Sequence, residues 1–348
     1  RRDVTAGPRR RRHDPLAPAG SGRVEPPSPS TIDLHTHTTR SDGIIPPAEL
    51  VRAAADVGVQ LLSLTDHDTL AGYREVVAAG AVPAGLTLVP GVEINAIVTR
   101  DLGLWEGELH ILGFGMDPAD EAFEATLAAQ RRRRRERFER TVARLHDLDL
   151  SIDDHILDLT GSEDDALGRP TVARALMEAG HASSVEDAFA RLLGWGKPGY
   201  VPRSGLGPVE AIEAIRAAGG LAVLAHFGEA PQRVDVVREL AEVGLGGLEV
   251  YYRSFDSATV FAVGEVASAL GLVPTGGSDY HGDTSTYAEA HAGLWVPPEV
   301  AAGIPGAAGL PDVAGLPDAA GLPGAGAVIA DAAAGVPGPG VVGSPGQP

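Results

Sequence analysis

The chain has 348 residues, 44% of them hydrophobic, with a formal net charge of −19 at pH 7 and a sequence pI near 4.9. That length and apolar content support a real hydrophobic core, and the acidic balance argues against general electrostatic adhesion to nucleic acid or to an anionic membrane. Cysteine is absent, which excludes a disulfide, a thiolate zinc site and a cysteine nucleophile, and leaves imidazole and carboxylate as the ligand types.

Residues 1–30 carry Arg, Pro, Ser and Gly with almost no apolar content, a composition that reads as a disordered N-terminal segment. No apolar signal core follows the Arg-rich start, and no apolar run approaches the roughly 20 residues of a spanning helix, so a cytoplasmic location is expected. From Ile32 to Thr36 an apolar strand precedes a helix over 46–57 that carries Pro in its first turn. A strand over 60–64, a helix near 70–79 and strands over 86–89 and 108–114 follow. Residues 117–204 break this rhythm: the pattern predicts a long helix over 118–148, then helices over 170–178 and 185–193. Alternation returns with helix 208–218, strand 221–225, helix 234–243, strand 247–251, helix 256–270 and strand 273–275. Gly-Leu-Pro-Asp and Gly-Pro-Gly repeats dominate from about Ala301.

Short apolar strands alternating with helices point to parallel strands with crossover helices, an α/β barrel. The expected organisation is a barrel from 31–116 and 205–298, a helical insertion of 117–204 capping the C-terminal face of its strands, and a low-complexity Gly/Pro/Ala tail of 299–348.

Six of the eleven histidines fall at strand ends or in a strand, beside carboxylates or turns. They stand in Asp-Leu-His35-Thr-His37 followed by Asp42, in Thr65-Asp66-His67-Asp68, in Ala225-His226 and in Ser278-Asp279-Tyr280-His281, with His110 a lone partner inside its strand. Glu93 closes Leu-Val-Pro-Gly-Val. Each polar motif follows the apolar stretch of its own strand, and in a parallel barrel those ends meet on one face. His-x-His sets both imidazoles on one side of the pleat. His35, His37, Asp42, His67, Glu93, His110, His226, Asp279 and His281 exceed what one four- to six-coordinate ion uses, so two or three divalent ions (Mn, Fe or Zn) are expected, with Glu93 as the bridging carboxylate. Asp66 and Asp68 flank His67, and each serves either as an orienter of the imidazole or as a proton donor; Asp68 is equally suited to capping the next helix.

The run Arg131–Arg135 continues into Phe138, Val142 and Leu145 at helical spacing, so most of its arginines form a solvated face. Arg131 and Arg134, with Arg169, Arg174 and Lys197 as rivals, are the candidate cations for a substrate phosphate.

On these residues the chain resembles the PHP (polymerase and histidinol phosphatase) family of metal-dependent phosphoesterases. The resemblance covers about residues 31–298 and rests on Asp33-Leu-His-Thr-His-Thr38, Thr65–Asp68, His226 and Ser278–His281. The helical insertion and Gly196-Lys-Pro-Gly-Tyr-Val201 are similar to a branch whose members act as nucleoside 3′,5′-bisphosphate phosphatases and as 5′-to-3′ exonucleases on short RNA. One departure is Phe227, where the family pattern has Pro after the histidine. The resemblance implies a distorted (β/α)7 TIM-like barrel with a three-metal cluster. The expected activity is hydrolysis of nucleotide phosphate esters, or of an RNA 5′ end, through a metal-activated hydroxide, with Asp66, His67, Asp68 and Glu93 as the catalytic group. The alternatives are a histidinol-phosphate-type phosphatase and a non-catalytic regulatory module.

Overall fold

The computed structural model describes residues 30–98, 107–156 and 168–307. The expected N-terminal segment up to residue 29 and the tail beyond 307 lie outside the described residues.

Among the described residues seven strands form one sheet in sequential order. They are β1 (Ile32–Asp33), β2 (Leu61–Leu64), β3 (Thr87–Val98), β4 (Gly107–Phe114), β5 (Leu221–Leu224), β6 (Gly247–Tyr252) and β7 (Val273–Gly277). Helices α1 (Pro47–Asp56) and α2 (Ala71–Ala78) connect the first three strands, and α8 (Val234–Glu242) and α9 (Ser257–Leu270) connect the last three. All four residues of β2 are buried, as a strand covered on both faces requires.

The helices bury one face each. In α7 (Pro208–Ala217) the buried residues Pro208, Ala211, Ile212 and Ile215 recur at helical spacing, and Pro208 occupies the first turn, where its missing N–H costs nothing. α9 ends at Gly271, whose φ of +66° is the left-handed cap conformation.

The sheet curls until β7 reaches β1. Leu34 N donates to Gly276 O at 3.1 Å, Asp279 N to His35 O at 2.7 Å and His37 N to Tyr280 O at 3.1 Å. Gly277 permits this approach, because a Cβ there would lie 2.3 Å from His35 Cβ. Tyr287, on α10 (Tyr287–Ala292), fastens the seam by donating its hydroxyl to Asp33 Oδ2 at 2.8 Å.

The expectation of parallel strands throughout needs one correction. β4 runs antiparallel to both β3 and β5. Only eight residues, 99–106, separate β3 from β4, fewer than the dozen or more that a crossover between parallel neighbours needs, so the chain returns in the opposite direction.

Between β4 and β5 lie α3 (Glu121–His146), α4 (Asp153–Ile156), α5 (Arg169–Glu178), α6 (Val185–Ala188) with a π-helical turn at Phe189–Leu193, and α7. Asp120 caps α3 by accepting from Phe123 N at 2.9 Å. The stretch has an apolar cluster of its own that includes Phe138, Leu145, Val172, Leu176 and Leu193. Of residues 299–307, read from composition as the start of the tail, those up to Gly303 lie in a short 3-10 helix from Pro298, and Val300, Ile304 and Ala307 are buried in one apolar cluster with Ile32 and Leu34. The few apolar residues among these glycines and prolines are sufficient to hold the segment on the core.

Candidate metal centre

The ends of β1, β2, β5 and β7, the middle of β3 and the first half of β4 converge on one face; β3 runs on past the expected 86–89 to Val98, so Glu93 lies inside it. The reversal of β4 explains His110: in an antiparallel strand the N-terminal part reaches the face where the parallel strands end, and His110 there pairs with Asn95 of β3. A histidine inside its strand thus joins motifs placed after theirs.

Glu93 lies at the middle, buried. Its Oε2 is 3.0 Å from His67 Nδ1, 3.2 Å from His37 Nε2 and 3.5 Å from His35 Nε2. Its Oε1 is 2.6 Å from His110 Nδ1 and 3.4 Å from His226 Nε2. Asp279 Oδ1 lies 3.2 Å from His35 Nε2 and 3.3 Å from His37 Nε2. Asp42 reaches His281 Nε2 at 3.2 Å and His67 Nε2 at 3.6 Å. All nine residues singled out as candidate ligands come together.

The cluster fits cations. His35 Nε2, His37 Nε2, His67 Nδ1 and Asp42 Oδ1 are buried and have no hydrogen-bond partner. Buried polar atoms without partners are rare and costly, and here they converge on the same few ångströms. Three overlapping groups have ligand atoms close enough to hold an ion: His37, Asp42, His67 and His281; His35, His37 and Glu93; Glu93, His110 and His226.

The local electrostatics match this reading. Burial opposes ionisation of Glu93, yet His110, His67 and His35 hold its carboxyl well below the usual range. Burial likewise opposes Asp42, which His67 and His281 hold well below its ordinary value. The His67 imidazole is itself held well below its ordinary value, chiefly by burial, which favours the neutral form that ligates metal. Three of the site residues also carry backbone strain: φ is +54° at Asp68, +32° at His226 and +49° at Asp279. Non-glycine residues persist there only where their surroundings hold them. For His226 the hold is a hydrogen bond from its N–H to Glu249 Oε2 at 2.7 Å, which keeps the residue in the cluster although Phe227 follows it.

Two residues of the Thr-Asp-His-Asp motif act at one remove. Asp66 Oδ1 accepts from Thr38 N at 2.7 Å and Ser41 Oγ at 2.8 Å, and its Oδ2 accepts from Thr38 Oγ1 at 2.8 Å. It therefore anchors the loop that presents His37 and Asp42. Asp68 does not cap α2, whose N-cap is Leu70 with no side-chain bond; its Oδ2 accepts from Arg134 Nε.

A cavity of about 300 Å³ is lined by residues of the cluster and by Arg134, Arg169 and Arg203. Glu108 sits among the arginines, with Oε1 2.9 Å from Arg203 Nε and 3.4 Å from Arg169. Burial and the neighbouring Arg134 lower the Arg203 pKa to about 9. Such crowding of cations marks a place suited to an anion. Arg131 and Lys197 are not brought to this cavity: Arg131 donates to Asp68 O at 3.0 Å and to Glu124 at 2.6 Å, and Lys197 is solvent-exposed. Arg174 donates to Asp42 O at 3.3 Å and is not among the residues that line the cavity.

The sequence reading missed Glu249 and Arg203. Glu249 is fully buried on β6 and accepts from His35 Nδ1 at 3.0 Å. A single acid inside an apolar strand, Gly-Leu-Glu-Val, was its available signal. Arg203, in an irregular Val-Pro-Arg-Ser segment, carries no local signal.

The pattern of the PHP domain matches residues 33–183. The chain is 34% identical to the 5′-3′ exoribonuclease Rnm of Escherichia coli (strain K12) over 277 residues, 76% of this chain and 89% of the relative. The Salmonella typhimurium protein of the same name is 38% identical over 201 residues, and the match spans 56% of this chain and 65% of that one. The 3′,5′-nucleoside bisphosphate phosphatase of Chromobacterium violaceum is 34% identical over 271 residues, 72% of this chain and 87% of the relative. Among solved structures, one assigned as a metal-dependent phosphoesterase from Bifidobacterium adolescentis superposes with a TM-score of 0.65 at 35% identity, covering 74% of this chain and 90% of that one. With the fold, the converging imidazoles and carboxylates and these likenesses in agreement, the chain belongs to the PHP-domain family of metal-dependent phosphoesterases.

Proposed function

We propose that this chain hydrolyses phosphate esters of nucleotides, its substrate being a nucleoside 3′,5′-bisphosphate or the 5′-phosphorylated end of a short RNA. The observation that carries this reading is a single cavity lined both by the imidazole and carboxylate cluster and by Arg134, Arg169 and Arg203. One phosphate is met by each group. The exoribonuclease and bisphosphate phosphatase activities in the relatives' names support the same substrate class.

The cluster is assigned two or three divalent cations, Mn, Fe or Zn. His35, His37, Glu93 and Asp279 would hold one, and Asp42, His67 and His281 a second. His110 and His226, with the other oxygen of Glu93, would hold a third. Bound there, divalent ions supply an acidified water at neutral pH and neutralise phosphate oxygens. Glu249 fixes the His35 tautomer by accepting a hydrogen bond from its Nδ1–H, so that Nε2 faces the cluster with its lone pair. Asp68 holds Arg134 in place, and Arg134, Arg169 and Arg203 bind the non-reacting phosphate and so orient the reacting one. Residues 117–204 are assigned the role of a cap over the barrel of 31–116 and 205–298, because Arg134 of α3 and Arg169 of α5 border the cavity. Among the described residues no helix is long and apolar enough to cross a membrane; the cytoplasmic setting rests on the sequence reading.

The test is release of phosphate or mononucleotide by the Mn-loaded protein from a nucleoside 3′,5′-bisphosphate, a short 5′-phosphorylated RNA and histidinol phosphate. Faster turnover of either nucleotide substrate is the expected result. Preference for histidinol phosphate would overturn the nucleotide assignment and leave the phosphoesterase chemistry in place.

A further inference from the structure

The cavity is bordered almost throughout by charged and polar groups, and among its described lining residues only Pro170 and Phe189 are apolar. Phe189 is half-buried and packs on the apolar cluster of the helical stretch, and its side chain also borders the cavity. Its backbone is irregular at the same place. Phe189–Leu193 form a π-helical turn, closed by Gly194 N donating to Phe189 O, five residues back, at 2.9 Å. Turns widened in this way are rare and concentrate at functional sites. The guanidinium carbon of Arg169 lies over the Phe189 ring, 5.4 Å from its centroid, and both residues border the cavity with Pro170. Two planar groups from different segments, one over the other, thus make one wall of a cavity that is otherwise suited to anions.

A phosphate has no use for an aromatic ring. A nucleobase has, because bases stack on aromatic faces and guanidinium planes, and they do so with little regard to identity since every base has a π face. The polar groups able to read a base edge nearby are already engaged. Asn95 donates to His110 Nε2 at 2.6 Å and accepts from Arg134, while Glu108 pairs with Arg203 and Arg169. We propose that Phe189 and Arg169 form a stacking wall for a nucleobase, which makes the ligand a nucleoside phosphate in preference to a phosphorylated sugar or amino alcohol, with weak discrimination among bases. The proposal rests on the nucleotide reading of the same cavity and adds the part of the substrate that reading leaves unassigned.

The test compares calorimetric affinities of adenosine 5′-monophosphate and ribose 5-phosphate for the Mn-loaded full chain and for its Phe189→Leu and Phe189→Trp variants, with bisphosphate hydrolysis followed on the same preparations. The expected result is a preference of about tenfold or more for the base-bearing ligand. That preference should largely vanish in Phe189→Leu, which keeps apolar volume without a π face, and persist in Phe189→Trp. Uridine and guanosine monophosphates should bind within a few-fold of the adenosine compound. Equal affinity of the unmodified chain for the two ligands, or an undiminished preference in Phe189→Leu, would overturn the proposal. If hydrolysis of the bisphosphate is present in that case, only the stacking wall fails. If the chain hydrolyses neither bisphosphate nor RNA, the nucleotide reading fails and the wall with it.

Discussion

Glu249 accepts a hydrogen bond from His35 Nδ1 at 3.0 Å with one carboxylate oxygen and from the backbone N–H of His226 at 2.7 Å with the other. One buried acid on β6 thereby sets the orientation of an imidazole following β1 and of a strained residue following β5. In Glu249→Gln an amide NH2 replaces one acceptor and faces a donor. The expected outcome is a folded protein whose Mn affinity drops by about ten- to hundredfold, read by competition with a metal indicator. Unchanged affinity would show that the carboxylate only fills space.

His67→Ala and Asp279→Asn each remove one of the converging ligand candidates. Phosphoesterase activity should fall by about a hundredfold or more, beyond the range seen when only a ligand's supporting partner is lost, while the circular dichroism spectrum stays that of a folded protein. A folded His67→Ala variant with full activity would contradict the assignment of the cluster.

Chelation should abolish activity, and readdition of Mn should restore it. The cluster packs Asp42, Glu93 and Asp279 among six imidazoles with several buried atoms unpartnered, so ion binding to the folded state alone raises its stability by mass action. The melting temperature should therefore climb with Mn concentration. A melting temperature indifferent to metal would argue that the unpartnered atoms have another role.

Arg169→Ala and Arg203→Ala should raise KM for a nucleoside 3′,5′-bisphosphate more than for a monophosphate. Each loses a charge-assisted contact of about 1.5–3 kcal/mol, corresponding to roughly ten- to hundredfold. Steady-state kinetics on the two substrates measures the split, and equal losses on both would place these arginines at the reacting phosphate instead. Lys197→Ala, on a solvent-exposed side chain, should change neither.

Tyr287→Phe tests the seam of the barrel. Its hydroxyl donates to Asp33 Oδ2 at 2.8 Å, and its loss should cost about 1–2 kcal/mol in urea unfolding. Burial, reinforced by Asp33, holds the phenol well above its ordinary 10.0. In the unfolded chain the group ionises near pH 10, while in the folded chain it stays neutral. Folded stability therefore declines as pH rises past that value, and the variant should lack this component of the alkaline loss.

Much of the metal centre was legible along the chain because its motifs are local. His-x-His, Thr-Asp-His-Asp and Ser-Asp-Tyr-His each end an apolar run, and the pleat and the strand direction alone bring such ends to one face. His110 fitted that reading poorly because the direction of β4 is not written in its own residues. It follows from a connection to β3 too short for a crossover, and from pairing that only the assembled sheet displays. The cation run on α3 was visible as a group, but which arginine serves the cavity depends on helix rotation: Arg134 turns toward Asp68 and the cluster, while three residues earlier Arg131 is held by Asp68 O and Glu124.

Composition and local spacing were enough to establish the type of chemistry, imidazole and carboxylate on divalent ions, and the alternating α/β architecture that presents it. They act over a few residues, and so does the hydrophobic periodicity that writes strands and helices. Closure of β7 on β1 at Gly277, the joining of Glu249 to His35 across 214 positions, and the meeting of Arg134, Arg169 and Arg203 around Glu108 were decided by the tertiary fold. Each is a contact between segments remote in sequence, and its existence depends on how the whole barrel packs.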